Sequence, residues 1–224
     1  MRLAFLVSGR GSNLEAVLSA VAGGRLERVE PVLVISNRPL VRALEVAGAH
    51  GVPTRVLVRA DYPDASARDA AAGDALSSAG ADLALLAGYD QLLHRSFFGA
   101  FGGQTINIHP SLLPRHGGRG MVGLAVHRSV LAAGDVETGV TVHQVTPELD
   151  AGPTLEQVRL PVIRGESPEQ LAARVLAVEH RVIVEVLTRL AAEPLAEGSS
   201  ASMTAALPPA TGPHPTHERR RTHA

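Results

Sequence analysis

The sequence of 224 residues predicts a Rossmann-like α/β fold, a doubly wound and mostly parallel sheet in a single domain. Short runs of Val, Leu and Ile alternate with amphipathic helical stretches, and the turns between them are short. This alternation is typical of a parallel sheet covered by helices on both faces. Two later strands follow each other without a helix between them, which predicts an antiparallel extension at the C-terminal side.

The first half of the chain supplies the predicted parallel strands and the helices that connect them. The four apolar runs that predict strands are residues 3–7, 29–36, 54–58 and 82–87. The three stretches with helical spacing are residues 13–22, 40–50 and 66–79. Because crossovers between parallel strands are right-handed, these helices are expected on both faces of the sheet.

The second half is predicted to close the sheet and to end in a long helix. The predicted elements are a strand at 104–108, a helix at 124–133, and strands at 139–145 and 155–162. The loop 146–153 joins the last two strands. Ser167 is expected to cap a helix that runs to about Arg189, with Pro168 at its first position.

The last part of the chain has a different composition. Residues 1–193 form the predicted domain, whereas residues 194–224 are rich in Pro, Ser and His and show no apolar period. Such a segment is expected to be a disordered tail. His214, His217 and His223 are spaced irregularly, and an incidental origin explains them better than a metal site does.

Composition excludes several kinds of chemistry. The chain contains no Cys, so disulfides, thiolate metal sites and a cysteine nucleophile are excluded. It contains no Lys, and all 21 basic residues are Arg, which excludes Schiff-base chemistry and a P-loop lysine. The net charge of −1 gives no electrostatic basis for binding nucleic acid or an anionic membrane. No targeting segment or membrane-length apolar run is visible, so a cytoplasmic location is predicted.

The run SGRGSN at residues 8–13 follows the first predicted strand and begins the first helix. In a parallel α/β fold this turn lies at the carboxyl edge of the sheet, where ligands bind. The N-terminus of the helix offers free N–H groups to an anion, and Ser12 and Asn13 add side-chain donors beside Gly11. The alternative is a tight turn with an N-cap, and the motif by itself does not decide between the two.

A second motif combines an amide, an imidazole and a carboxylate. Asn107 and His109 are two residues apart in an apolar run, so their side chains leave the same face of a strand. Pro110 should end the strand and place His109 at its tip. Asp150 lies in a Gly-Pro loop. Such a set can polarise a carbonyl, stabilise an oxyanion and move a proton, although the sequence proves no contact between its members.

The remaining candidates have strong structural alternatives. Residues 115–121 contain three Gly and two Arg and predict a mobile loop beside the site, or an ordinary surface loop. His127 and His143 lie in apolar surroundings and are predicted to be structural. Glu179 lies inside the long helix, where periodicity does not decide whether it faces solvent or the site.

These motifs resemble the phosphoribosylglycinamide formyltransferases, a folate-dependent family of purine biosynthesis. The resemblance extends from residue 1 to about residue 190. It rests on five segments: SGRGSN at 8–13, ISNR at 35–38, LAGY at 86–89, NIHPSLLP at 107–114 and ELDAGP at 148–153. The fourth marks the wider formyltransferase superfamily, and the first points to the branch that acts on glycinamide ribonucleotide.

The resemblance implies a role for each motif. Asn107, His109 and Asp150 would be catalytic, the turn of Gly11, Ser12 and Asn13 would hold the ribonucleotide phosphate, and Glu179 would contact the ribonucleotide. The residues implied to line the site of 10-formyltetrahydrofolate are Asp90, Gln91, Leu92, Leu93, Asn107, Thr146, Pro147, Glu148, Leu149 and Asp150. The family often has an Arg near position 65, where Ala65 stands, and Arg68 is the nearest substitute. Leu176 replaces a hydrophilic residue of the family.

The implied reaction is direct transfer of a formyl group. The amine of glycinamide ribonucleotide would attack the formyl carbon of 10-formyltetrahydrofolate, in de novo purine synthesis. Protonated His109 and the Asn107 amide would stabilise the oxyanion, and Asp150 would keep His109 charged and relay a proton. The ligands implied are small molecules, with no metal, no nucleic acid and no membrane, and the protein would be a monomer or homodimer.

Other members of the superfamily are the alternatives. Methionyl-tRNA formyltransferases normally add a C-terminal barrel domain, for which the tail is too short. Formyltetrahydrofolate hydrolases normally carry an N-terminal regulatory domain, and a sugar-nucleotide formyltransferase is a further relative. An inactive binding module is the alternative of a different class, and the presence of Asn107, His109 and Asp150 argues against it.

Overall fold

The structure is a computed structural model and describes residues 1–192. These residues contain seven strands, six α-helices and a 3₁₀ turn at Arg59–Asp61. The strands are β1 (Arg2–Val7), β2 (Glu30–Ser36), β3 (Thr54–Val56), β4 (Leu83–Leu86), β5 (Gln104–His109), β6 (Glu137–Gln144) and β7 (Thr154–Pro161). The helices are α1 (Ser12–Ala22), α2 (Arg42–Ala49), α3 (Ala65–Ser78), α4 (Arg95–Ala100), α5 (Leu124–Ala132) and α6 (Pro168–Ala192).

The strands form one mixed sheet in the order β3-β2-β1-β4-β5-β6-β7. Strands β1 to β5 are parallel, β6 runs antiparallel to β5, and β7 runs antiparallel to β6. The predicted fold class, including the antiparallel extension, is therefore confirmed. The predicted boundary between residues 193 and 194 and the predicted tail lie outside the described residues.

Both faces of the sheet are buried, as the continuous apolar strands predict. In β1, Phe5 packs with residues of α1, α2 and α6 on one face, and Leu6 packs with residues of α3 and α4 on the other. Both side chains are fully buried. This alternation of side chains along a strand covered on two sides explains why β1 is apolar throughout.

The cap of α6 agrees with the prediction, and one short helix was not predicted. Ser167 caps α6 as expected: the Ser167 hydroxyl accepts from the Gln170 N–H at 3.2 Å, and the Gln170 side chain accepts from the Ser167 N–H at 2.8 Å. Helix α4 was not predicted, because six residues hold too few turns to show a period.

None of the helices in residues 1–192 combines the length and apolar character that crossing a bilayer requires.

The topology fixes where a ligand can bind. The chain moves outward from β1 to β2 and β3, then returns to the other side of β1 to form β4 and β5. The carboxyl ends of β1 and β4 therefore border the crevice at which the strand order reverses, the usual ligand site of such sheets. The turn after β1, the segment after β4 and the tip of β5 all lie at this edge.

Candidate active site

A single cleft of about 1080 Å³ runs along the carboxyl edge of the sheet. It is bordered by the turn after β1, the segment after β4, the tip of β5, the loop 118–123, the loop 146–150 and one face of α6. The predicted site residues that line it are Ser12, Asn13, Arg68, Asp90, Gln91, Leu92, Leu93, Asn107, His109, Thr146, Glu148, Leu149, Asp150 and Glu179. Gly11 and Pro147 are not among its lining residues.

His109 is the last residue of β5, and Pro110 follows it directly. The side chain is buried and lines the cleft. Its Nε2 lies 2.9 Å from the backbone carbonyl oxygen of His116. A carbonyl only accepts hydrogen bonds, so Nε2 carries a proton and donates it there. The other nitrogen, Nδ1, has no hydrogen-bond partner within residues 1–192.

Asn107 is held by a residue that the sequence prediction treated as structural. Strand β6 places His143 directly opposite Asn107, and the Asn107 amide nitrogen lies 3.1 Å from His143 Nε2. The His143 Nδ1–H donates to the Gln144 carbonyl at 3.0 Å, which leaves Nε2 free to accept from Asn107. Burial lowers the pKa of His143 and favours this neutral form. His143 also lines the cleft, so it belongs to the site.

Asp150 is held in an unusual backbone conformation. Its φ is 52°, in the left-handed region that a non-glycine residue rarely adopts. One carboxylate oxygen accepts from the Gly118 N–H at 2.7 Å, and the other lies 3.7 Å from His143 Nε2. No hydrogen bond joins Asp150 to His109 among the described residues, so the nearest imidazole to this carboxylate is that of His143. The expected direct pairing with His109 is absent from this structure.

At the opposite end of the cleft, α1 begins at Ser12 and has no side-chain cap. The first N–H groups of the helix are therefore available to an anion. The Asn13 amide donates to the buried Glu179 carboxylate at 2.7 Å. Burial raises the pKa of Glu179, while Asn13 and Arg10 oppose the rise. Glu179 therefore faces the site rather than solvent.

Gly11 has a packing role at this end of the cleft. It is the residue before α1, with φ 73°, and a Cβ placed there would lie 2.7 Å from the Ala43 Cβ. The glycine is required by the left-handed turn and by the close approach of α2. The predicted phosphate contact of this turn remains a prediction, and Ala43 is a second reason for the glycine.

Two charged side chains on the predicted folate wall are already paired within the protein. Asp90 accepts from Asn37 at 2.8 Å and also from Arg38. Partial burial acts to raise the pKa of Asp90, but hydrogen bonds from Gln91 and Asn37 lower it overall. The guanidinium of Arg68 is buried and lies 2.7 Å from the buried Asp69 carboxylate.

Arg68 retains one contact with the cleft wall, a bond of 3.3 Å from its second terminal nitrogen to the Gln91 side chain. It therefore lines the cleft as an element of a buried ion pair rather than as a free cation. Removing either partner of such a pair leaves a buried charge and is strongly destabilising. The folate contact expected of Arg68 remains a prediction.

Three residues that the sequence prediction did not place in the site also line the cleft. Arg10 and Arg119 are exposed there, and His127 is buried with its Nδ1 unpartnered among the described residues. Burial, then the proximity of His109, lowers the pKa of His127. Arg10 and Arg119 lie inside two motifs already quoted, and their positive charge in glycine-rich turns is the signal that would have identified them. Residues 1–192 hold no group of three or more side chains suited to a metal ion.

Together these features provide distinct chemical capacities at the two ends. The end near β5 offers an imidazole whose Nδ1 has no partner among the described residues, an oriented amide and a carboxylate. These groups are suited to stabilising an oxyanion and moving a proton. The end near α1 offers helix N–H groups and an arginine, which suit a phosphate.

The comparison with known proteins agrees with this geometry. The sequence model of the formyl transferase family matches residues 1–187. The phosphoribosylglycinamide formyltransferase of Escherichia coli (strain K12) is 35% identical over 188 residues, which are 84% of this chain and 86% of that protein. The chloroplastic phosphoribosylglycinamide formyltransferase of Arabidopsis thaliana is 37% identical over 86% of this chain.

The chain spans 66% of the Arabidopsis protein and 18% of the trifunctional purine biosynthetic protein adenosine-3 of Bos taurus, to which it is 38% identical. A solved structure, glycinamide ribonucleotide transformylase 1 from Symbiobacterium toebii, superposes with a TM-score of 0.79 at 39% identity. That match covers 85% of this chain and 87% of the other. The chain therefore belongs to the formyl transferase family, among the phosphoribosylglycinamide formyltransferases.

Proposed function

We propose that this protein transfers the formyl group of 10-formyltetrahydrofolate to the amine of glycinamide ribonucleotide, a step of purine biosynthesis. The observation that supports this most strongly is the shared cleft. Asn107, His109 and Asp150 line one end, and the uncapped N-terminus of α1 lies at the other. A phosphate held at α1 would leave the rest of a ribonucleotide extended toward the three side chains.

The amine would attack the formyl carbon and convert it into a tetrahedral intermediate with a negatively charged oxygen. His109 donates Nε2–H to the His116 carbonyl, so in its protonated form the Nδ1–H is the donor left for that oxygen. The Asn107 amide carries a second N–H besides the one bonded to His143. Two donors that are already oriented lower the barrier because they need no reorganisation in the transition state.

Asp150 would accept the proton that the attacking amine loses and transfer it to the leaving group. Its carboxylate is held on one side by the Gly118 N–H and faces His143 on the other. The proton leaves the amine nitrogen, passes by way of the carboxylate, and reaches N10 of the folate as the bond from carbon to N10 breaks. The neutral His143 holds the Asn107 amide in place, and the Gly118 N–H holds the carboxylate.

The folate would lie against the segments after β4 and before β7. Leu92 and Leu149 are half exposed at the mouth of the cleft and offer apolar surface to an aromatic ligand. Backbone groups of residues 90–93 and 146–150 would form hydrogen bonds with the pterin. Burial raises the pKa of Tyr89, on the same wall, to about 12, so its hydroxyl remains a donor.

Product analysis with formyl-labelled 10-formyltetrahydrofolate tests this proposal. With glycinamide ribonucleotide present, the label should appear on the ribonucleotide; without it, the folate should persist. Label released as formate at the same rate in both reactions would identify a hydrolase instead. Transfer to a sugar nucleotide or to methionyl-tRNA, with none to the ribonucleotide, would identify another branch of the family. A cytoplasmic location and a monomeric or homodimeric state remain predictions.

A further inference from the structure

A cluster of polar side chains lies behind the catalytic end, on residues that do not line the cleft. His116 Nε2 lies 2.8 Å from an Asp135 carboxylate oxygen, and His116 Nδ1 lies 2.8 Å from the Ser129 hydroxyl. The other Asp135 oxygen accepts from Arg115. Both ring nitrogens of His116 are thus bonded, one to the segment between α5 and β6 and one to α5 itself.

The backbone beside His116 touches both catalytic side chains. The His116 carbonyl accepts from His109 at 2.9 Å, and two residues further the Gly118 N–H donates to Asp150 at 2.7 Å. The tripeptide 116–118 therefore faces the His109 imidazole and the Asp150 carboxylate at once. Its orientation determines which nitrogen of His109 keeps a proton and where the Asp150 carboxylate points.

This tripeptide has little in its own sequence to hold it. His116 has φ 55° and Gly118 has φ 90°, so the two ends of the tripeptide lie in the left-handed region. Gly117 and Gly118 bring no side chains that could anchor it. The His116 ring is the side chain that ties the tripeptide to the body of the domain, and Asp135 is the charged group that holds the ring. The His116 hydrogen bond, followed by the charge of Arg115, holds the pKa of Asp135 below its ordinary value, so the anchor is ionised at neutral pH.

We propose that Asp135 is a positioning residue for the reaction: through the His116 ring it fixes the tripeptide 116–118, and through that backbone it orients His109 and Asp150 together. This inference rests on the proposed function only for its kinetic consequence. Its structural consequence is that neutral His109 keeps its proton on Nε2. A supporting residue that orients a catalytic group acts on the chemical step more than on binding, because small misplacements of reacting groups are costly.

The test compares wild type with Asp135→Ala and with Glu137→Ala as the matched control. Glu137 is also a carboxylate paired with an arginine, Arg159, and lies two residues further along the chain. Asp135→Ala should lower kcat by about tenfold or more, with KM for both substrates changed by less than about twofold. Glu137→Ala should leave kcat at the wild-type value.

Nitrogen-15 NMR of the histidine rings provides a readout that general destabilisation would not move. In wild type, neutral His109 should show the Nε2–H tautomer; in Asp135→Ala it should show a mixture of both tautomers. The tautomer measurement needs no turnover, so it tests the positioning role even if the wild-type protein proves inactive on glycinamide ribonucleotide. A wild-type kcat together with an unchanged tautomer in Asp135→Ala would overturn the proposal.

Two further variants keep the proposal testable if Asp135→Ala fails to fold. Ser129→Ala removes the second, uncharged anchor of the ring and should give a smaller loss of kcat in the same direction. His116→Ala removes the ring itself and should lower kcat by about tenfold or more without Asp135 being changed. Where Asp135→Ala folds, His116→Ala should match it, and the double variant should be little worse than either, because both changes break one linkage. Additive losses in the double variant, or a wild-type kcat in His116→Ala, would show that the ring does not act through Asp135.

Discussion

At one end of the cleft, a single turn between β1 and α1 presents backbone N–H groups; at the other, side chains from separate segments meet. The α1 end is built on consecutive residues, which meet α2 at Ala43 and α6 through the hydrogen bond from Asn13 to Glu179. The catalytic end joins β5, β6 and two loops through bonds of Asn107, His109 and Asp150. In the proposed function, the first end binds a charge and the second keeps reactive groups in a fixed orientation. Changes at the two ends should therefore alter different kinetic constants.

The largest expected effect is at the catalytic end. His109→Ala and Asp150→Asn should each lower kcat by about 10²-fold or more, because each removes oxyanion stabilisation or proton transfer. Both residues contact the tripeptide 116–118, so the double variant should be little worse than the poorer single one. Steady-state kinetics on the four proteins of this cycle measures the coupling, with His50→Ala, an exposed histidine, as control.

Near-normal turnover in His109→Ala would contradict the proposed mechanism. Strictly multiplicative losses in the double variant would instead leave the two residues as independent contributors, without the shared backbone support. Either outcome would weaken the contrast between a connected catalytic end and a simple binding end.

A smaller loss of kcat is expected from His143, which holds Asn107 and approaches Asp150 without facing the reacting atoms directly. His143→Ala should lower kcat by about tenfold, on the scale of removing a supporting hydrogen-bond partner. Stopped-flow measurement of single turnovers locates the loss in the chemical step. A normal single-turnover rate would show that His143 has the structural role that its apolar sequence context predicted.

The α1 end should respond in binding. Arg10 is exposed there and its charge acts on Glu179, so it can supply a cation to a phosphate. Arg10→Ala should raise KM for glycinamide ribonucleotide by about five- to tenfold, with kcat and the folate KM unchanged. Arg28→Ala, an exposed arginine away from the cleft, is the matched control. Equal weakening of both substrates would show that the end is not specific for the ribonucleotide.

The two ends also differ in which parts the sequence can predict. The strand-turn-helix at residues 8–13 is local, so its position at the sheet edge follows from the element pattern alone. The partners of Gly11 and Asn107 cannot be predicted in this way. Packing of α2 places Ala43 beside Gly11, and the register of β5 with β6 places His143 opposite Asn107. The residue types at the site were predictable, whereas the hydrogen bond from His109 to His116 depends on a loop conformation that no periodicity encodes.

Glu179 offers a stability test of the α1 end. Because burial raises its pKa, the folded state binds the proton more tightly than the unfolded state. The contribution of Glu179 to the free energy of unfolding is complete below its unfolded pKa of about 4.5. It is lost as pH rises through the folded pKa. Thermal melts of wild type and Glu179→Gln should therefore diverge above about pH 5, with the variant becoming relatively more stable as pH rises. A constant difference between pH 5 and 8 would contradict the raised pKa.

The smallest effect is expected outside both ends. Residues 198–224 lack the apolar side chains that offset the entropy of ordering a segment. Removing them should leave Tm and kcat nearly unchanged, measured by calorimetry and steady-state assay. A loss of several degrees, or of most activity, would assign the tail a role in the domain.

Ligand binding to His109→Ala tests the separation of the two ends most directly. Isothermal titration with glycinamide ribonucleotide and, separately, with a non-transferable folate analogue would give Kd values for the variant and for wild type. We expect both Kd values to stay within about threefold of wild type, a difference below about 0.7 kcal/mol, while turnover falls by about 10²-fold or more. A Kd for the ribonucleotide that weakens as much as turnover falls would contradict the assignment of binding and chemistry to different ends of the cleft.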